Sequence, residues 1–546
     1  MLRPVTIEQT RRAMRCGTRQ VNKALLLLSC VMADFETVTR SGRHSQPLCG
    51  EGVGLSSAGK PGTPVAMAAA APAPPPSDWR DLLSEGRAGS FLFIMLGMWL
   101  MAADALVTAT IMPSVGADLA GFAWFGWATS GFLVGQVVAG ACVAPLTARF
   151  GLRGAMLGGG AALALGCAVS AFAPAMAWFV AGRIVQGAAA GVIGGLCYVA
   201  IGLVFPARHL PRVFAAATSV WGIATVVGPL VGGLFADAGA WRATFWFFAA
   251  QALLFMVLVW RIIPKDANRA PAPPVPVVPL LLLSASVAAF AVAGVIADGR
   301  AALLLAAIGV PLLVWAVRRD AALPAGALLP RATLVRGSPL GAAYLFYFTA
   351  TAAATGFAVY APAILQFTDG LSALQAGYVV AVEALAWTGC ALLVSGGGSR
   401  VAKWSVRAGA AAVALGIALL LVVMAPGPIW AAAIGGGLLG GGFGLSFAFV
   451  SQFLMTSLAE DETAAGSAAI GTVRNSGGAV GAALASVAAN LNGFAGGLNA
   501  GNIDAVAFWV FAVALPLAVV GLVAAWGLAA RMKLPSPPAG EARDAR

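Results

Sequence analysis

From residue 91 to residue 530 one pattern repeats: a run of mostly apolar residues, then a short polar or charged connector. A run of ~20 such residues is long enough to cross ~30 Å of hydrocarbon as a helix, which satisfies its own backbone where no water is present. Fourteen spans are expected, near 91–113, 124–146, 154–174, 176–204, 212–236, 241–263, 277–297, 300–317, 339–366, 374–396, 404–425, 428–457, 464–491 and 504–530. The third and fourth are so close in sequence that they must form a tight antiparallel hairpin.

Two connectors are longer and polar, at 264–279 and from Arg318 to Pro339. They divide the chain into a six-helix bundle (86–263), a linker carrying two extra membrane helices (264–338), and a second six-helix bundle (339–530). Residues 531–546 form a short tail. Two facing bundles with substrate near the midplane follow from such a six-two-six plan, the inserted pair lying at the side. Residues 1–85 break the pattern and end in Pro-rich sequence, so they are expected as a disordered cytoplasmic lead-in. Their apolar patch, Ala24–Ala33, is too short to span, and no convincing cleavage pattern follows it. Met67 opens a more ordinary cytoplasmic start, which makes residues 1–66 a candidate for an over-called translation start.

Composition excludes a soluble domain: the chain is 60% hydrophobic and 10% charged, with mean hydropathy +0.88. The net charge of +12 reflects topology rather than nucleic acid binding. With the N-terminus inside, eighteen Lys and Arg flank the cytoplasmic ends of the spans, among them Arg149, Arg153, Arg212, Arg318, Arg400 and Arg531. Only Arg242 and Arg300 fall on the other side, a positive-inside bias that puts both termini in the cytoplasm. No exterior loop holds a cysteine, so no structural disulfide is expected. Neither His44 nor His209 lies within a span, and no buried His-Glu cluster or Ser/His pair occurs. Metal sites, cofactors and enzymatic chemistry are therefore not expected.

Charges inside the spans are the functional candidates, because each costs several kcal/mol unless paired or hydrated. They are Asp104, Arg183, Glu383 and Arg474. At ~1.5 Å per residue, Asp104 lies about 20 Å in from one face and Arg183 about 10 Å in from the other, so the two reach similar depth. They can pair if their helices are neighbours. Glu383 sits near the midplane with no positive residue nearby on its own helix. An unpaired carboxylate in hydrocarbon takes up a proton rather than stay charged. Glu383 is thus the expected proton carrier and Asp104 the expected charge switch. Arg474 is expected to snorkel toward the interface. Gln136, Tyr198, Trp221, Tyr344, Tyr347, Tyr360, Trp387 and Gln452 are candidate lining of a midplane cavity.

Gly222, Gly228-Pro229-Leu230-Val231-Gly232-Gly233 and Trp241-Arg242-Ala243-Thr244-Phe245 form a rarer pattern. Glycines so spaced let helices meet backbone to backbone, and proline is tolerated in a membrane helix. The segment resembles the fifth-helix antiporter motif of the major facilitator superfamily. Other segments resemble its 14-helix drug:proton antiporters: Asp104 to Pro113, the loop residues Leu146, Arg149, Gly151 and Arg153, Arg183-Ile-Val-Gln186-Gly187, Leu329-Pro330-Arg331, Leu365-Gln366 and the Arg474 cluster. The loop departs from the family pattern at Ala148, where the family has Asp, and at Ala144, where it has Gly. Glu383 stands where an uncharged residue is expected.

The resemblance implies an all-α integral membrane protein of the major facilitator fold, two six-helix bundles with two additional central helices. It implies a monomeric inner-membrane exporter of hydrophobic or cationic small molecules, driven by proton antiport with alternating access. Its partners would be protons, substrate and the bilayer, with a periplasmic adaptor and outer-membrane channel as further candidates. The rival readings are a facilitator or proton-coupled importer of a metabolite on the same fold, and a non-transporting membrane protein.

Overall fold

The computed structural model describes residues 87–206, 209–265, 274–296, 298–323, 326–335, 337–458 and 462–532. All of them belong to the unit Ala73–Arg546; the unit Met1–Pro72, and with it the reading of the N-terminal lead-in, lies outside the described residues. Among the described residues the chain is helical throughout, with no strand.

The helices are α1 (Ala88–Asp118), α2 (Phe125–Ala141), α3 (Val143–Ala171), α4 (Met176–Val204), α5 (Leu210–Asp237), α6 (Trp241–Ile262), α7 (Val277–Val295) and α8 (Gly299–Ala321). They continue with α9 (Pro339–Thr368), α10 (Ala373–Val394), α11 (Ser399–Val423), α12 (Ile429–Ser457), α13 (Thr463–Leu491), α14 (Ile503–Ala512) and α15 (Ala514–Arg531). The last two make one span, Ile503–Arg531. Pro516 lacks an N–H and crowds the carbonyl four residues back, so the helix breaks at Val513. The chain reverses not at the α2–α3 boundary but at Gly151, whose φ of 72° only glycine adopts without strain. Fourteen long helical segments result among the described residues, counting α14 and α15 as one. Thirteen are long and apolar enough to cross a membrane, while α13, which carries Arg474, Asn475 and many small residues, is not among them.

Four glycine pairs spaced by four residues set the packing. Gly187 and Gly191 on α4 meet the backbone of Phe132 and Gln136 on α2, and Gly228 and Gly232 on α5 meet Leu106 and Val107 on α1. Gly440 and Gly444 on α12 meet the backbone of Glu383 and Trp387 on α10, and Gly477 and Gly481 on α13 meet Phe348 and Ala352 on α9. The second set repeats the first with a shift of eight helices. Under that shift Glu383 takes the place of Phe132, and Trp387 that of Gln136. A methyl group at Gly440 would strike the Glu383 carbonyl oxygen. We expect Gly440→Ala to destabilise the purified protein by ~1–3 kcal/mol, the usual cost of overpacking, and to lower its melting temperature. An unchanged melting temperature would mean that the seam can yield.

The halves join along α2 with α13 and α5 with α10. Their contacts gather at one end. There Phe125 and Tyr360 pack around Phe494, with ring centroids 5.2 and 5.1 Å from it. Asp237 at the foot of α5 accepts from the Ala373 N–H of α10 at 2.9 Å, and Gly233 lies against Leu374. Toward the other end of the same four helices, Gly140, Gly222, Gly389 and Gly471 have open space where a side chain would stand. The inserted helix α7 lies across the α2–α13 seam, gripped from both sides. Trp127 donates to the Ala291 carbonyl at 2.7 Å, and Asn490 donates to the Gly294 carbonyl at 2.6 Å and that of Ala123 at 2.7 Å. α8 packs on α7 and leaves most of its surface outward.

Candidate functional site

Two groups of charges lie within the bundle, one in each half. In the first half, α1 and α4 bring Asp104 and Arg183 together, both almost fully buried. An Arg183 Nη1 donates to Asp104 Oδ2 at 2.7 Å and also to the Gln186 side-chain oxygen. Gln186 in turn donates to Ser170 Oγ at 2.8 Å and to the Gly166 carbonyl at 2.9 Å, which fixes its amide. The guanidinium lies 4.3 Å from the centroid of the Phe132 ring. Asp104 Oδ1 and Arg183 Nε have no hydrogen-bond partner. The network is therefore only partly satisfied, and a partly satisfied buried ion pair is a poor device for stability.

In the second half, Glu383 and Arg474 line one cavity of about 130 Å³ together with Thr351, Thr355, Trp387, Phe443 and Phe447. α10 starts from a capping box made by Ser372 and Gln375. Glu383 follows ten residues later, ~15 Å along the helix axis and near its middle. Gly440 and Gly444 hold α12 so close that α10 turns Glu383 and Trp387 toward the cavity. Trp387, Phe443 and Phe447 form a triangle of rings with centroids 4.9–5.0 Å apart. The Arg474 guanidinium stands 5.4 Å from Trp387 and 5.2 Å from Phe447, and its buried Nε has no partner. Arg474 thus faces the cavity instead of snorkelling to an interface, because α13 packs its Gly477 and Gly481 side on α9. Arg183–Asp104 and Arg242–Asp118 form ion pairs, while neither Glu383 nor Arg474 has an ion-pair partner among the described residues.

The other residues singled out above are placed as follows. Trp387 lines the cavity. Tyr198 on α4 is exposed, stacks on Phe214, and is near enough to Arg474 to feel its charge from the opposite half. Trp221 and Gln452 are exposed, and Gln136 is half-buried with its backbone against Gly191. Tyr344, Tyr347 and Tyr360 are packing residues. Buried hydroxyls need acceptors, and Tyr344 finds the Gly466 carbonyl at 3.0 Å while Tyr347 finds that of Phe447 at 2.8 Å. Tyr360 belongs to the aromatic seal at the closed end. Arg149 lies over Phe150 and Arg153 over Trp260, on either side of the Gly151 turn. Gly187, Gly228 and Gly232 form the backbone seams, and Pro229 with Gly233 meets α10 at Gly377 and Leu374. Arg242 pairs with Asp118, and Trp241 donates to the same carboxylate at 3.3 Å.

Sequence reasoning missed Ser170, Phe132 and the wall residues Thr351, Thr355, Phe443 and Phe447. One signal could have found Phe132: Gly440 and Gly444 repeat the spacing of Gly187 and Gly191, which equates α10 and α12 with α2 and α4 and sets Phe132 in the place of Glu383.

The chain matches the description of the Major Facilitator Superfamily over residues 94–482. A probable multidrug-efflux transporter of Mycobacterium tuberculosis is 33% identical over 437 residues, which cover 76% of this chain and 89% of that protein. Multidrug resistance protein 3 of Bacillus subtilis is 25% identical over 173 residues, 31% of this chain and 34% of its own. Among solved structures, a D-xylose-proton symporter superposes with a TM-score of 0.56 at 17% identity, covering 81% of this chain and 96% of that one. A peptide transporter does so with 0.58 at 15% identity, covering 82% and 96%. At such identities the structures establish the fold, and the family match adds what kind of molecule uses it. This is a multi-pass membrane transporter of small molecules and not an enzyme: the chain belongs to the major facilitator superfamily.

Proposed function

We propose that the protein is a proton-driven exporter of hydrophobic small molecules in the inner membrane, both termini lying in the cytoplasm. The observation that carries this reading is Glu383, a carboxyl group without a cationic partner in the wall of a cavity at the middle of the bundle. Such a group exchanges a proton with whichever side the cavity faces. The positive-inside bias puts the sealed end outside and the open end in the cytoplasm, the state that admits substrate. The similarity to a probable multidrug-efflux transporter supports export as the direction.

The charges then act in sequence. Substrate enters from the cytoplasm while Glu383 is unprotonated. The halves rock about the bound molecule, the aromatic seal parts, and protons from outside displace substrate at Glu383. Proton uptake at Asp104 Oδ1 weakens its hold on Arg183 and biases the first half toward return. One charge moving through 100 mV supplies ~2.3 kcal/mol, enough at ~1.4 kcal/mol per decade for a gradient of roughly fortyfold.

Transport into inverted membrane vesicles tests this. Hydrophobic dyes are expected to accumulate when the lumen is acidified, and to leave when a protonophore collapses the gradient. Flux that ignores the gradient would support an uncoupled facilitator instead.

A further inference from the structure

The cavity wall carries an acid and a guanidinium that do not pair with each other. Glu383 comes from α10 and Arg474 from α13, both reach the same space of about 130 Å³, and no ion pair joins them. Arg474 rests near the rings of Trp387 and Phe447 with its Nε unpartnered, while the nearby Tyr347 hydroxyl is committed to the Phe447 carbonyl and to Ser451. A guanidinium steadied over aromatic rings presents its remaining N–H fork to a planar anion such as a carboxylate. From this arrangement we infer that the exporter's preferred substrates are aromatic zwitterions, with an anionic group on Arg474, a cationic group on Glu383, and a ring against the Trp387–Phe443–Phe447 triangle.

A ligand carrying only positive charge gains Glu383 but brings like charge against Arg474. A ligand carrying only negative charge meets the converse. A zwitterion neutralises both walls at once, and nothing else on the cavity surface offers the missing counter-charges. The first half contributes no rival: Asp104 and Arg183 are closed on one another. This inference rests on the export reading for its direction, but the charge preference itself is a property of the cavity and is measured without transport.

The experiment is calorimetric titration of the full-length protein in detergent with three probes that share one ring. Naphthylalanine carries both charges, its methyl ester only the positive one, and its N-acetyl derivative only the negative one. Wild type is expected to bind naphthylalanine at least ~10-fold more tightly than either derivative, the scale of one lost charge-assisted contact. Arg474→Gln is expected to erase the advantage over the ester while leaving ester binding unchanged or improved. The wild-type comparison needs no variant, so a folding defect in Arg474→Gln leaves the inference testable. Equal binding of naphthylalanine and its ester, preference for a singly charged probe, or binding of none of the three overturns it. Those results leave the export reading standing, since that reading fails only if vesicle transport ignores the proton gradient.

Discussion

Asp104→Asn is expected to lower the stability of the folded protein by about 3–5 kcal/mol and to stop transport, because it strands the Arg183 guanidinium in an apolar interior. Gln186 and the Phe132 ring would remain as its neighbours, and neither carries a negative charge. Thermal unfolding in detergent should show the loss directly. The informative companion is the double variant Asp104→Asn with Arg183→Gln. It buries no charge at all, so it should recover most of the stability while transport stays absent. That split separates a structural ion pair from a working one. A single variant that melts and transports like wild type would reduce the pair to packing.

Glu383→Gln is expected to uncouple the protein. Glutamine keeps the shape and hydrogen-bonding capacity of the acid but cannot release a proton. Accumulation driven by a proton-motive force equivalent to about 100 mV should fall from as much as roughly fortyfold to unity, whereas exchange of labelled for unlabelled substrate at saturating concentration continues. Accumulation that survives in Glu383→Gln would remove this residue from coupling and shift attention to Asp104.

Much of the fold could be read from the chain because the bilayer imposes a length on every crossing. The spans recur wherever ~20 apolar residues do, and hydrocarbon leaves few alternatives to a helix. The helix over residues 463–491 falls short of the other crossings in apolarity, since Arg474, Asn475, Asn490 and many small residues dilute it. The matching depths of Asp104 and Arg183 allow their pairing only if their helices are neighbours, and the packing of α1 on α4 supplies that condition. The cavity was not legible in the sequence. Its walls depend on which way a helix is rotated, and rotation is set by contacts such as that between Gly440 and the Glu383 backbone. Tyrosines were poor guides for a related reason. A hydroxyl suits a wet surface and a dry one with a carbonyl in reach, and Tyr344 and Tyr347 chose the latter. Arg474 was misjudged because an arginine near a helix end usually reaches for water, while here aromatic rings receive it.

Helix α7 breaks the likeness between the two edges along which the halves touch. The α2–α13 edge is tied through α7 by Trp127 and Asn490, whereas among the described residues the α5–α10 edge has no third helix across it and is held by direct contacts such as Asp237 with the Ala373 N–H. A door hung on one jamb swings from the other. The closed end should therefore gape first beside α5 and α10, and a departing molecule would leave by that side, along a slanted path rather than the central axis.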